Sequence, residues 1–188
     1  MREIRSRKFG KATTMGAALL TLGIGAVAWL VFPCAMAARA LLAETPSQCW
    51  TLPAPLPVIH GLAENESATR SYISKAILSV ALLDGLRRRF WPVTETTWNA
   101  WLMAAHNGTE ISALWCQLYP NADGDPLPVF AQKRFRRSLD QLTSRELAEL
   151  VVLGRHPNLS QSQPALFDSR VNELHMAYEN SKNTPTQL

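Results

Sequence analysis

The sequence contains only 3 cysteines and 4 histidines. So few thiols exclude a disulfide framework, and none of them stands in a C-x-x-C or other metal-ligand spacing. His60, His106, His156 and His175 are scattered, so no metal-ligating role is assigned to any of them. No stretch sustains the period-2 alternation of a half-buried strand, which leaves little room for a sheet. Charge is wholly missing from Ala12 to Ala38.

That uncharged stretch carries the strongest positive signal. Met15 to Phe32 is almost entirely apolar, and at about 1.5 Å per residue it is long enough to cross a hydrocarbon core of about 30 Å. Arg2, Arg5, Arg7, Lys8 and Lys11 precede it against one acid, Glu3. The positive-inside rule keeps that end in the cytoplasm. Residues 1–12 therefore read as a basic tail and 13–43 as a transmembrane anchor helix. The remainder is exported to the periplasm, which makes this a single-pass protein of the cytoplasmic (inner) membrane. A cleaved signal peptide is the alternative, because Ala35-Met36-Ala37 forms an A-x-A site. The length of the apolar run, and a helical pattern continuing through Arg39, Leu41 and Leu42, favour retention. Cys34, just after Pro33, is expected to be a thiol buried in the membrane.

The formal net charge of +4 invites a nucleic-acid reading, but its distribution argues otherwise. From Glu44 onward there are 13 Lys and Arg against 14 Asp and Glu. The exported part thus shows no global basic footprint, and no nucleic-acid partner is expected. Its length suffices for one modest core.

Residues 44–62 hold several prolines and no helical period, and are expected to form an extended linker. A helical domain follows over 63–181, with a flexible tail at 182–188. Within it, Tyr72, Ile73, Ala76, Ile77, Val80 and Leu83 make one apolar face of a helix over 66–90. Pro92 breaks the chain, and a second helix turns Trp98, Trp101, Leu102 and Ala105 inward until Asn107-Gly108. Thr109 is expected to cap a third helix carrying Ile111, Leu114, Trp115 and Leu118. Pro128 suits the first turn of the next. Thr143-Ser144-Arg145-Glu146 is a capping box that opens an amphipathic helix stopped by Gly154. A last helix begins near Pro164 and runs through Val171, Leu174 and Tyr178. The domain is read as all-α.

Several of these helices also carry a resemblance. Glu110-Ile111-Ser112-Ala113-Leu114-Trp115-Cys116-Gln117 stands where a family 51 glycosyltransferase, the peptidoglycan-polymerising module of class A penicillin-binding proteins, has a stretch close to E-I-L-E-L-Y-L-N. Arg134-Phe135-Arg136-Arg137 falls near the expected position of Y-F-G-K. Leu142 through Leu150 follows as L-T-L-x-E-A-A-L-L would, and Arg170 through Met176 is similar to that domain's arginine-rich closing helix. The upstream half departs from the pattern. Ala63-Glu64-Asn65 lacks the phenylalanine and histidine of E-D-x-x-F-x-x-H-x-G, and Ser67 to Lys75 keeps only the serine and lysine of S-T-I-T-Q-Q-L-x-K.

The resemblance implies a small lysozyme-like helical domain acting on, or binding, a lipid-linked disaccharide precursor. Glu64 would be the base that takes the proton of a sugar hydroxyl, and Glu95 the second catalytic carboxylate. Lys75, Arg87, Arg88, Arg89, Arg134, Arg136 and Arg137 would face the departing pyrophosphate, with a divalent cation such as Mg if the domain is catalytic. The missing upstream motifs keep a second reading open: a noncatalytic envelope scaffold that binds a partner protein or the precursor. The arginines equally suit helix surfaces or anionic lipid headgroups. Glu64 and Glu95 equally suit solvated positions near helix starts. Cys49 and Cys116 both lie in the exported part, where oxidation is permitted. Either they pair, or Cys116 remains a buried thiol.

Overall fold

Two reciprocal capping boxes organise the C-terminal half of the chain. At the first, Asn107 Oδ1 accepts the Glu110 N–H (3.0 Å) while the Glu110 carboxylate accepts the Asn107 N–H (3.1 Å). At the second, Thr143 Oγ1 accepts the Glu146 N–H (3.3 Å) and Glu146 Oε2 accepts the Thr143 N–H (2.8 Å). Each box satisfies two amides that a helix start would otherwise leave orphaned. The Thr143 box stands where the sequence indicates. The other is set by Asn107 and not by Thr109, because the asparagine oxygen two residues earlier reaches the Glu110 amide.

The computed structural model describes residues 21, 25, 28, 29, 31–64, 66–81, 91–121 and 123–183. Helical residues run through 31–44 (α1). Then come α2 (Ser47–Trp50), α3 (Pro55–Ala63), α4 (Glu66–Ala81), α5 (Trp91–Ala105), α6 (Gly108–Gln117) and α7 (Leu127–Phe135). A 3-10 turn at Leu139–Gln141 precedes α8 (Ser144–Arg155), α9 (Leu159–Ser162) and α10 (Pro164–Asn183). No strand occurs among the described residues, so the chain is all-helical there.

Among the described residues no helix is long and apolar enough to cross a membrane. Much of the Met15–Phe32 span lies outside those residues. In α1, Cys34 and Ala38, one turn apart, are fully buried and belong to the core cluster. Cys34 is thus a buried thiol enclosed by the protein itself.

Residues 44–62 are not an extended linker. They hold α2 and α3, and Cys49, Leu56 and Ile59 are buried in the core. The prolines misled because Pro55 occupies the first turn of α3, where a missing N–H costs no helical hydrogen bond. α3 packs along α8 and against α10, which also lies along α8. α4 pairs with α5, and α2 lies on α6. Leu147, Ala148, Leu150 and Val151 make the buried stripe of α8, and full burial of each leucine there contributes about 1.5–3 kcal/mol.

α4 buries Thr69, Ile73, Ser74, Ile77 and Leu78, while residues 82–90 lie outside the described residues. In α5, Trp98 and Leu102 are fully buried, but Ala105 is exposed. α10 starts at Pro164 as its sequence predicts and buries Phe167, Val171, Leu174 and Tyr178.

Gly154 does not stop α8, which continues through Arg155. It is buried, and a Cβ there would meet Tyr119 Cε2 at 2.7 Å. The Tyr119 ring needs that gap, because its hydroxyl donates to the Leu150 carbonyl at 2.6 Å. Burial pushes the Tyr119 phenol well above its ordinary pKa, so it stays a donor. The Tyr72 hydroxyl does a similar task between α4 and the end of α6, donating to Leu118 O at 2.6 Å.

Candidate functional site

Glu64 follows α3 in an extended conformation, its N–H bonded to His60 O at 2.8 Å. Its carboxylate is mostly covered and already engaged. Oε2 lies 3.7 Å from His60 Nε2 and accepts from Thr69 Oγ1 at 3.4 Å, and Oε1 lies 3.9 Å from Arg155 Nε. Burial lowers the His60 pKa and the Glu64 charge opposes it, so the imidazole resists protonation against the Trp115 ring, 4.2 Å away between centroids.

Glu95 is held elsewhere. Its Oε1 accepts from Ser71 Oγ at 3.2 Å and lies 3.6 Å from Lys75 Nζ. Ser71 and Lys75 stand one turn apart on α4, whereas Thr69, which holds Glu64, points to nearly the opposite side of that helix. The two carboxylates proposed for catalysis are therefore fastened to different faces of α4 and do not converge on one cavity. From the predicted catalytic and substrate-binding set, the described residues bring Lys75 and Glu95 together. Nor do the acids fit a divalent cation, which needs several oxygens converging on one point. Asp123 lies 3.8 Å from Lys133 Nζ, which also pairs with Asp125. No group of three or more His, Cys, Asp or Glu could hold a metal among the described residues.

The arginines near 134 serve the fold. Arg134 donates from Nε and Nη2 to Glu149 Oε1 at 3.1 and 2.8 Å, and Arg137 pairs with Glu146. Both acids belong to α8, so these pairs clamp the end of α7 onto it. Burial pushes the Glu146 carboxyl up, but the bonds from Thr143 and the Arg137 charge outweigh it and hold the pKa below its ordinary value. Arg136 takes the left-handed cap position of α7 (φ 57°) and is exposed. Arg87, Arg88 and Arg89 lie outside the described residues.

Cys49 and Cys116 are joined in a disulfide, with Cα atoms 5.6 Å apart, between α2 and α6. The bridge replaces the buried thiol that was the other expectation at Cys116.

A groove that sequence reasoning missed opens between the C-terminal ends of α3 and α8 and one side of α10, with a volume of about 540 Å³. Arg155 Nη1 donates to Ala63 O at 2.7 Å, bridging α8 to α3. Arg170 Nη1 lies 2.5 Å from His156 Nε2. A guanidinium can only donate, so that ring nitrogen accepts and the neutral ring carries its proton on Nδ1. Burial lowers the His156 pKa, Arg170 and Arg155 lower it further, and Glu64 opposes them. Glu173 completes the polar lining, and Leu62, Val152, Leu174 and Ala177 supply apolar wall. The residues come from three elements, and α3 is distant in sequence, with Ala63 92 positions from Arg155. The only local hint was the Arg155-His156 pair at a helix end.

What the fold defines is an all-helical domain with a disulfide and a mixed polar and apolar groove. No protein-family model, no curated protein and no solved structure matches the chain.

Proposed function

We propose that this chain is a noncatalytic protein of the bacterial cell envelope, anchored in the cytoplasmic membrane by its N-terminal apolar segment. Its periplasmic helical domain resembles a transglycosylase scaffold and binds lipid-linked peptidoglycan precursor or another envelope protein. One observation carries the choice of a binder over an enzyme. Glu64 is engaged by Arg155 of α8 and Thr69 of α4, whereas Glu95 is engaged by Ser71 and Lys75 on another face of α4, so the two carboxylates are held apart by different partners. A sugar hydroxyl and a leaving pyrophosphate must be handled at one place, and general acid–base chemistry needs both groups within reach of the reacting atoms. The engagement of Arg134 and Arg137 with Glu149 and Glu146 points the same way.

The test incubates the detergent-solubilised protein with lipid-linked disaccharide precursor. Retention of precursor without glycan polymer is the expected result. Polymer formation that Glu64→Gln abolishes would establish the enzyme instead. For topology, a reporter active only outside the cytoplasm should work when fused after Leu188, with the protein resisting extraction by high salt. A soluble form beginning at Ala38 would establish cleavage.

A further inference from the structure

The groove between α3, α8 and α10 brings two cationic side chains, Arg155 and Arg170, to one place. Arg134 meets the Glu149 carboxylate and Arg137 meets Glu146, while Arg145 donates to the Asn172 side chain. Arg170 instead donates to a neutral imidazole, which supplies an acceptor but no negative charge. Arg155 spends one N–H on the Ala63 carbonyl and approaches Glu64 only to 3.9 Å. A guanidinium has five N–H donors in a planar fork, so each retains several for a ligand. One carboxylate, Glu173, lines the groove beside these two cations.

The other wall is apolar. Leu62 is 46% exposed and Ala177 half-buried, and the largely buried Val152 and Leu174 show only their edges to the groove. A bare anion would leave that surface wet, whereas an anion carried on an apolar chain would cover it. Removing apolar area from water stabilises the complex. The competing account is that Arg155 merely complements the carbonyl end of α8. That accounts for Arg155 but leaves Arg170 on His156 without a carboxylate.

We propose that this groove binds an amphiphilic anion, its phosphate or carboxylate head held by Arg155 and Arg170 beside His156 and its apolar chain laid along Leu62 and Leu174. Nothing in this assignment depends on whether the domain meets a lipid-linked saccharide. The two sources of such a ligand are a headgroup in the membrane and a soluble acyl or alkyl anion.

The test uses the full-length protein in a neutral maltoside detergent, titrated with inorganic phosphate and with dodecyl phosphate carried in the micelles. The His156 ring resonances provide the readout. Dodecyl phosphate should saturate, bind more tightly than inorganic phosphate, and move His156 toward protonation as a negative charge enters between the two arginines. Arg155→Ala and Arg170→Ala should each weaken it about tenfold, the scale of one charge-assisted hydrogen bond. Arg170→Lys, which keeps charge but loses the fork, should fall between. Arg170 is exposed, so its variant decides the matter even if Arg155→Ala loosens the α3–α8 contact. A second arm adds phosphatidylglycerol, with phosphatidylcholine as control, to the micelles and reads the same His156 resonances. A shift with phosphatidylglycerol that is lost in the double arginine variant assigns the ligand to the membrane. No shift with phosphatidylglycerol, beside arginine-dependent dodecyl phosphate binding, assigns it to a soluble anion. Absence of a saturable His156 shift, or equal binding by wild type and Arg170→Ala, overturns the proposal.

Discussion

Two glycine-to-alanine substitutions in helices should move stability in opposite directions. Gly61 is an exposed residue of α3 with nothing within 4 Å of a built Cβ. Alanine there removes backbone entropy from the unfolded chain and should stabilise by roughly 0.5–1 kcal/mol. Gly154→Ala gains the same propensity term but drives a methyl to 2.7 Å from Tyr119 Cε2. The ring cannot slide away freely, because Tyr119 is only 2% exposed and its hydroxyl is tied to Leu150 O. Overpacking costs about 1–3 kcal/mol, and a disturbed buried hydrogen bond about 1 more. Subtracting about 1 for propensity leaves a net loss of roughly 1–3 kcal/mol. With a urea slope of about 2 kcal/mol per molar, the midpoint should fall by roughly 0.5–1.5 M. Urea titrations of both variants and the parent, with the disulfide intact, measure this. The clash predicts coupling as well: in a Tyr119→Leu background, Gly154→Ala should cost far less. Equal effects of the two glycine variants, or an unchanged cost of Gly154→Ala once the Tyr119 ring is gone, would refute the close approach as the reason for the glycine.

Three other outcomes are expected. Reduction of the Cys49–Cys116 bridge, or Cys49→Ser with Cys116→Ser, should lower stability by about 4 kcal/mol on the chain-entropy scale for a separation of 67 residues. Urea midpoints with and without reductant measure the loss, and non-reduced peptide maps with both thiols free would remove its basis. Thr143→Ala should cost about 1 kcal/mol by opening the α8 cap, while Thr143→Ser should cost little; equal stability of the two would be the contrary result. Burial holds the His60 and His156 pKa values below the ordinary 6.5, so the unfolded chain binds more protons. Stability should therefore be complete above that value and decline as pH falls below it, before the carboxylates titrate. His60→Gln should flatten part of that slope in urea midpoints taken across pH, and an unchanged slope would count against a buried neutral ring.

Features governed by local rules were legible in the sequence. The Thr143 capping box, Pro128 near the start of α7 and Pro164 at the start of α10 involve residues a few positions apart, and chain geometry fixes their consequences. The Cys49–Cys116 pairing was one of two readings that compartment and residue type allowed. Features set by tertiary neighbours were not. Gly154 looks like a helix stop until Tyr119 is placed over it. The prolines at 55 and 57 look like a linker until α3 is seen to bury Leu56 and Ile59 against the core. Glu64 was singled out by position alone, and its Arg155 neighbour lies on α8, far along the chain. Arg155, His156 and Arg170 converge only because α9 and its flanking turns fold α10 back along α8.

The bridge between α2 and α6 also sets how the chain responds to pulling. Tension applied at its two ends passes from Cys49 to Cys116 through sulfur, and the covalent loop holding α3, α4 and α5 carries none of it directly. A separation of 67 residues, roughly 230 Å of extended chain, is withheld from stretching while the bond is oxidised. Yet α3, inside that loop, is the helix against which α8 and α10 are packed from outside it. Drawing out the C-terminal helices would strip them from a ring that keeps its own ends together, and α3 would remain as a nearby template for their return.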